Sequence, residues 1–564
     1  MDCRSNSFAI FEPENGIISK MRKTELFAVI LLMWAMQVVA RPSAPASREV
    51  PRVVLGIVVE NMRPDYIDRY WDKFGEGGFR KLVNGGSLCT GFSFSQHILN
   101  NATGTATLYT GVTPSVHGIV DESWYDRDQG QVTGAVTDEE YPAIGGAPSG
   151  SRVSPRQLRS STLGDQLKLS GNGKPKVFSI ALNEAPALFA AGFSGDAAWW
   201  FDTASGKMIT SSFYLTSQPA WAEKFNAREE TRKYGSRNWV LLKNASDYNA
   251  SHEDRSPYEQ GFEGGKNTFP HSLASMVKNA GHFGPLKCTP FGNSLVGDFA
   301  RELLGNEKIG EDDFPDLVTV IFSSMDQENS SFGPASVEME DLYLRLDEEI
   351  AALLSLAEKK VGSDHLLVFL TANSSAAYPV NYLREKMRFP AGTFTPDNAI
   401  ALLNSFLNIS YGDLKWIEYN NGLQLYLNHK IAGINKTDLR EMRSRAAAFL
   451  SEFEGIKMAV SSDQIREGQL NNSSREGVTN SWYEGRSGDI LLVLREGWQP
   501  NFKFKKVHYS GHGHVPLIFY GSGIPSRRLI EKVDATSLVP TLATLLGIPV
   551  PPGCTAPSIP LIRE

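Results

Sequence analysis

Cysteine is scarce: Cys3, Cys89, Cys288 and Cys554 are the only thiols in 564 residues. That density excludes a disulfide scaffold and a four-thiolate zinc finger. There is no basic excess either, with 56 Lys and Arg against 63 Asp and Glu and a formal charge of −7. A chain without surplus cations cannot neutralise a phosphate backbone, so no nucleic-acid partner is expected. Internal repeats and low-complexity tracts are missing too. Beyond residue 46 no apolar run approaches the roughly 20 residues needed to span a bilayer. What is present is 41% apolar, 21% charged and 10% aromatic residues. This is a folded globular composition, with enough apolar surface to offset the entropy of ordering. Such a length accommodates one large α/β domain or a few smaller ones.

The first 46 residues read differently. Met21-Arg22-Lys23 is followed by an apolar stretch from Leu26 to Ala40, then small-residue exits at Val38-Val39-Ala40 and Ala44-Pro45-Ala46. A basic start, a short apolar run and a small-residue exit make a secretory signal peptide over 21–46. Residues 1–20 fit no targeting segment, which makes Met21 a candidate start. Cleavage near Ala46 removes Cys3 and leaves at most one disulfide. The expectation is an exported protein, periplasmic or secreted, with no transmembrane segment after cleavage.

Along the remaining chain, strands alternate with helices. Val53–Val59 (VVLGIVV) is a continuous β-branched run, as for a strand buried on both faces of a parallel sheet. Similar runs recur at 316–323, 366–371, 490–494 and 516–520. Between the second and third, a helix over 337–360 sets Leu342, Leu346, Ile350, Leu353 and Leu354 on one stripe, with Ser336 placed to cap it. Strand, helix, strand is a βαβ unit, so the fold class is α/β, with a mostly parallel central sheet and helices on both faces. The domain runs over about 50–560. A small inserted subdomain is expected at about 400–480, from strands near 423–427 and 456–460 and a helix over 438–453.

In such sheets the chemistry lies at the carboxyl ends of the strands, here Glu60, Asp326, Asn373-Ser374 and the segment 508–514. Two carboxylates at strand ends can converge on a metal, although strand-end acids are also common as solvated or capping residues. A larger pattern adds to this. The segments VVLGIVVENMRPDYIDRYWDKFGEGGFRKLVNGG (53–86), TATLYTGVTPSVHGIVDESWYDR (105–127), TPFGNSL (289–295), LLVFLTA (366–372), HVPLIFYGSGI (514–524) and DATSLVPTLATLLGIPVPPGC (534–554) resemble the alkaline phosphatase superfamily. The resemblance is strongest to bacterial phosphate-irrepressible periplasmic enzymes with a threonine nucleophile. It spans nearly all of the chain after residue 50.

That resemblance implies two zinc ions about 4 Å apart, held by Asp and His. Position by position, it also implies that the chemistry is altered. The first-strand Asp corresponds to Glu60 and the threonine nucleophile to Asn101, a carboxamide that cannot act as an alkoxide. A shift in register would instead put Thr103 there. Asp326 is retained as a candidate ligand, but the His four residues on is Ser330, and the Asp-His pair after the 366–371 strand is Asn373-Ser374. The Lys and Arg that hold phosphoryl oxygens fall on Asn183 and Ala185, and the accompanying Asn on Glu122. His512 fits the last ligand position, with His508 as the alternative, while His117 in SVHGI is read as structural.

Loss of nucleophile, ligands and phosphate clamp together implies a pseudo-phosphatase that keeps the fold for binding or assembly. No cofactor is then expected, and the partner is an unidentified small molecule or protein. The alternative is an active metal-dependent phosphoric ester hydrolase, a monoesterase or phosphodiesterase, whose altered site holds one or two zinc ions. With Glu60, Asp326 and Glu122 kept and the clamp gone, the centre itself is expected to disfavour phosphate.

Overall fold

The structure, a computed structural model, describes residues 50–561 apart from 148–149, 263–266, 324–331, 471 and 502–512. The signal-like segment and the candidate residues Asp326, Ser330, His508 and His512 therefore lie outside the described residues.

Eleven strands form one mixed sheet. In chain order they are β1 (Val53–Glu60), β2 (Ser87–Ser93), β3 (Thr137–Ile144), β4 (Arg152–Val153), β5 (Val177–Ile180), β6 (Ala197–Asp202), β7 (Lys207–Ser211), β8 (Asp316–Ser323), β9 (Leu366–Thr371), β10 (Leu517–Gly521) and β11 (Arg527–Asp534). Across the sheet the order is β11-β2-β10-β9-β1-β8-β5-β6-β7-β3-β4. Only β10, β7 and β4 run against the others, so the sheet is mostly parallel. The flanking helices include α1 (Asn101–Thr110), α2 (Glu184–Ala191), α3 (Pro290–Asn306) and α4 (Val337–Val361).

Every residue of β1 is buried, as its β-branched run requires. It pairs in parallel with β8 on one side and β9 on the other. The register sets Glu60 opposite Ser323 and Val58 opposite Thr371, so Glu60 is level with Asn373 two residues further on. The connection from β8 to β9 runs through α4, where Ser336 Oγ accepts from the Met339 amide at 3.1 Å. Leu342, Leu346, Ile350, Leu353 and Leu354 on α4 are buried in the main core, each contributing roughly 2 kcal/mol by leaving water. An Arg301–Glu349 ion pair at 2.9 Å joins α3 to α4. These contacts hold the carboxyl ends of β1, β8 and β9 side by side.

The run at 490–494 corrects the sequence reading. It belongs not to the central sheet but to a separate antiparallel sheet of four strands, Ile417–Asn420, Gln424–Leu427, Ile490–Leu494 and Ile456–Ser461 in that spatial order. Ile490, Leu492 and Leu494 enter one core with Leu403, Trp416 and Leu450. Leu491 and Val493 face another with Ile98, Ile465 and Val478. A continuous apolar run reports burial on both faces and carries no information about which sheet buries it. Asp489, 2% exposed, fastens this sheet to the body: its Oδ2 accepts from Arg127 at 3.0 Å and its Oδ1 from Arg443 at 2.8 Å.

Cys89 and Cys288 are buried and Cys554 half-buried, and none of these is in a disulfide. Among the described residues no helix is long and apolar enough to cross a membrane.

Candidate functional site

β1 ends at Glu60, which is 2% exposed. Asn61 follows with φ 59°, a left-handed conformation that Asn adopts more readily than most side chains. Its carboxamide oxygen accepts from Ser374 Oγ at 2.8 Å, joining the end of β1 to the end of β9. Ser374 Oγ also lies 3.2 Å from Asn373 Oδ1 and 3.3 Å from Asn101 Oδ1. Asn373 Nδ2 donates to Thr105 Oγ1 at 3.0 Å. Asn61, Asn101, Asn373 and Ser374 are thus a contiguous neutral group beside Glu60, centred on the Ser374 hydroxyl.

Asn101 arrives there because it opens α1. Asn100 caps this helix reciprocally: its Oδ1 accepts from the Thr103 amide at 3.0 Å, and Thr103 Oγ1 accepts from the Asn100 amide at 3.1 Å. Thr103 is wholly buried and its hydroxyl also donates to the Ile98 carbonyl at 3.1 Å, so the shifted register has no exposed hydroxyl to offer. Gly104 lets the first turn approach the strand end, since a methyl group there would run into the carbonyl oxygen of Asn373. Gly104→Ala should therefore destabilise the fold by about 2 kcal/mol, measured by urea unfolding against wild type.

Asn183 stands at the start of α2. Its Nδ2 donates to Glu60 Oε2 at 3.2 Å, and its Oδ1 accepts from Lys287 Nζ at 2.8 Å. Burial raises the carboxyl pKa of the next residue, Glu184, against the opposing pull of Ser151 and Lys287. Ala185, half-buried in the first turn, packs against the main core. Glu122 is exposed in the loop before the strand Ser123–Asp126. Its neighbour Asp121 accepts from Asn100 and from Asn421, both at 2.8 Å, tying the α1 cap to the smaller sheet. His117 is buried as a structural residue, its Nε2 3.1 Å from Thr107 Oγ1.

Glu60, Asn101, Asn183, Asn373 and Ser374 are thus brought together at the carboxyl edge of the sheet. Sequence reasoning missed Asn61 and Lys287. Asn61 could have been noticed as an Asn ending a buried strand, whereas Lys287 lies 104 residues from the Asn183 it touches, and no local pattern marks it. Zinc prefers thiolate, imidazole or carboxylate donors. Among the described residues here, Glu60 is such a donor, while Asn101, Asn373 and Ser374 offer only neutral oxygens. That part of the donor set does not fit a zinc pair.

A mixed sheet of this order, with polar residues gathered where β1 and β9 end, defines an alkaline-phosphatase-like α/β protein. The chain belongs to the type I phosphodiesterase / nucleotide pyrophosphatase family, whose model matches residues 54–515, within the alkaline phosphatase superfamily. It is 32% identical over 515 residues to alkaline phosphatase PafA of Elizabethkingia meningoseptica, covering 90% of this chain and 94% of that protein. Alkaline phosphatase PhoV of Synechococcus elongatus is 28% identical over 522 residues, covering 92% and 94%. The crystal structure of wild-type PafA matches with a TM-score of 0.85 and 31% identity over 91% of this chain and 99% of that one.

Proposed function

We propose that this chain is a pseudo-phosphatase, an exported protein that has kept the phosphatase scaffold as a binding body. One observation carries the reading: where the family resemblance puts a nucleophile and metal ligands, the neutral Asn101 and Asn373 carboxamides lie 3.2–3.3 Å from the Ser374 hydroxyl, whose nearest acceptor is Asn61 Oδ1 at 2.8 Å. A metal-dependent enzyme leaves such groups charged and dependent on cations. Here they are neutral and gathered around one hydroxyl. Neutral Asn183 and Ala185 where the resemblance puts a phosphate clamp support the same reading, and export rests on the signal-like segment 21–46.

The active-hydrolase reading keeps one specific support, the buried carboxylate of Glu60 at the end of β1. Metal analysis separates the two. Mature protein dialysed against zinc and then freed of excess should carry much less than one equivalent, and calorimetric titration should show no site tighter than millimolar. Two stoichiometric zinc ions retained through gel filtration would refute the pseudo-phosphatase.

A further inference from the structure

Trp239 and His271 pair across a short antiparallel bridge, and the chain from Val240 to Phe262 between them is strapped to the start of α4. Asp341 on α4 accepts from the Leu242 amide at 2.7 Å and from the Tyr248 hydroxyl. The His252 amide donates to the Ala335 carbonyl at 2.9 Å. Phe262 ends the strap against Phe332 and His271, with ring centres 4.9 and 5.1 Å away. The strap also touches the segment that carries the candidate site. Tyr258 and His252 lie 5.4 and 6.0 Å from Tyr382, which stacks at 5.2 Å on Tyr378, a few residues after Ser374.

Glu259 sits inside this strap at 7% exposure, and neither of its carboxyl oxygens has a hydrogen-bond partner among the described residues. His252 Nδ1 lies 3.4 Å from Oε1 but faces the Glu253 carbonyl at 3.2 Å as well. Burial lowers the His252 pKa, with Lys386 acting the same way, so the ring is neutral at physiological pH and supplies no counter-charge. The other described groups that face Glu259 are acids, Asp254 on the strap and Glu338 on α4. Asp254 accepts from the Phe269 amide at 3.2 Å. Glu338 is wholly buried, its Oε1 2.8 Å from His271 Nε2 and its Oε2 unpartnered.

A carboxylate held out of water without a partner, beside two other acids, is far costlier than the neutral acid. Burial first, then the charges of Glu338 and Asp254, push the Glu259 pKa up to about 9. The closed strap therefore keeps Glu259 protonated at neutral pH. Once the strap opens, the side chain reaches water and its pKa returns to about 4. Closure is thus firmest below about pH 4 and weakens as pH rises toward the raised value, then weakens no further.

We propose that the strap 240–262 is a proton-held cover, closed while Glu259 is protonated and released toward alkaline pH, when ionised Glu259 leaves Glu338 and Asp254 for water. Release uncovers His271 and Glu338 and takes Tyr258 and His252 off Tyr382, the ring that supports Tyr378 beside the candidate site. The device works in the same way whether or not the chain turns over phosphate esters. Hydrogen–deuterium exchange of the mature protein, corrected for intrinsic base catalysis, reads the opening constant in peptides from 240–262, with β1 peptides as the reference. From about pH 6 to about pH 9 that constant should rise about tenfold per unit in wild type while β1 stays protected. In Glu259→Gln, which keeps the shape and cannot ionise, the profile should be flat. Infrared spectra at neutral pH should show a protonated-carboxyl band that is weaker in Glu259→Gln. A flat wild-type profile, an equal slope in Glu259→Gln, or an unchanged carboxyl band would overturn the proposal.

Discussion

Purified mature protein supplied with zinc should hydrolyse aryl phosphates no faster than a matched blank. Phosphate monoesters are so inert that an enzyme must lower the barrier by on the order of 20 kcal/mol. In a two-metal phosphatase that help comes from an activated alkoxide, Lewis-acid metals and donors to the equatorial oxygens. The Asn101 carboxamide is no alkoxide, and its oxygen is already within 3.3 Å of Ser374. Asn373 and Ser374 spend their polar atoms on Thr105 and Asn61. Lys287 brings one ammonium, held by Asn183, where a two-metal centre brings several positive charges. Asn101→Thr by itself should therefore restore no activity, because a hydroxyl without a metal stays protonated at neutral pH. A robust zinc-dependent rate that vanishes in Glu60→Ala would sink the pseudoenzyme reading.

Asp489→Asn should cost about 3 kcal/mol of stability at neutral pH, measured by urea unfolding. Asp489 accepts from Arg127, Arg443, His429 and the Leu427 amide at 2.8–3.0 Å, and is 2% exposed. Removing its charge leaves half-buried Arg127 without its carboxylate and Arg443 with Asp463 alone, and loosens the smaller sheet from Arg127. The pH dependence has a definite sign. Although burial raises the Asp489 pKa, the hydrogen bond from His429 and the charges of Arg127, His429 and Arg443 outweigh it and hold the carboxyl well below the usual range. A depressed carboxyl stabilises the fold above its unfolded pKa of about 4 and loses that contribution as pH falls toward its folded value. The gap between wild type and Asp489→Asn should thus be full above about pH 4 and close progressively below it. A gap that stays constant down to pH 2 would show that the ion pairs carry little of the effect.

Much of the fold is legible in the chain. The β1, β8 and β9 runs and the α4 stripe are strong local signals, because burial on both faces demands continuous apolar residues and burial on one helical face demands their periodic return. The site residues on these elements were legible for the same reason: Glu60, Asn373 and Ser374 follow directly where the runs stop. The run at 490–494 was misplaced because its two faces feed two different small cores, and the letters ILLVL are the same in either sheet. Asn61 escaped notice because its role depends on a left-handed turn that brings its carboxamide to a serine 313 residues away.

By itself, then, the sequence determined the fold class, the strands that end at the site, and the neutrality of Asn101, Asn373 and Ser374, since a side chain's charge type is written in its letter. Only the tertiary structure decided that these neutral groups gather around the Ser374 hydroxyl and that Lys287 reaches Asn183. Each of these depends on which strand ends meet, and that is set by the register of β1 between β8 and β9 and by the closeness Gly104 allows to α1. Distances between residues hundreds apart follow from packing, which no local run of letters encodes.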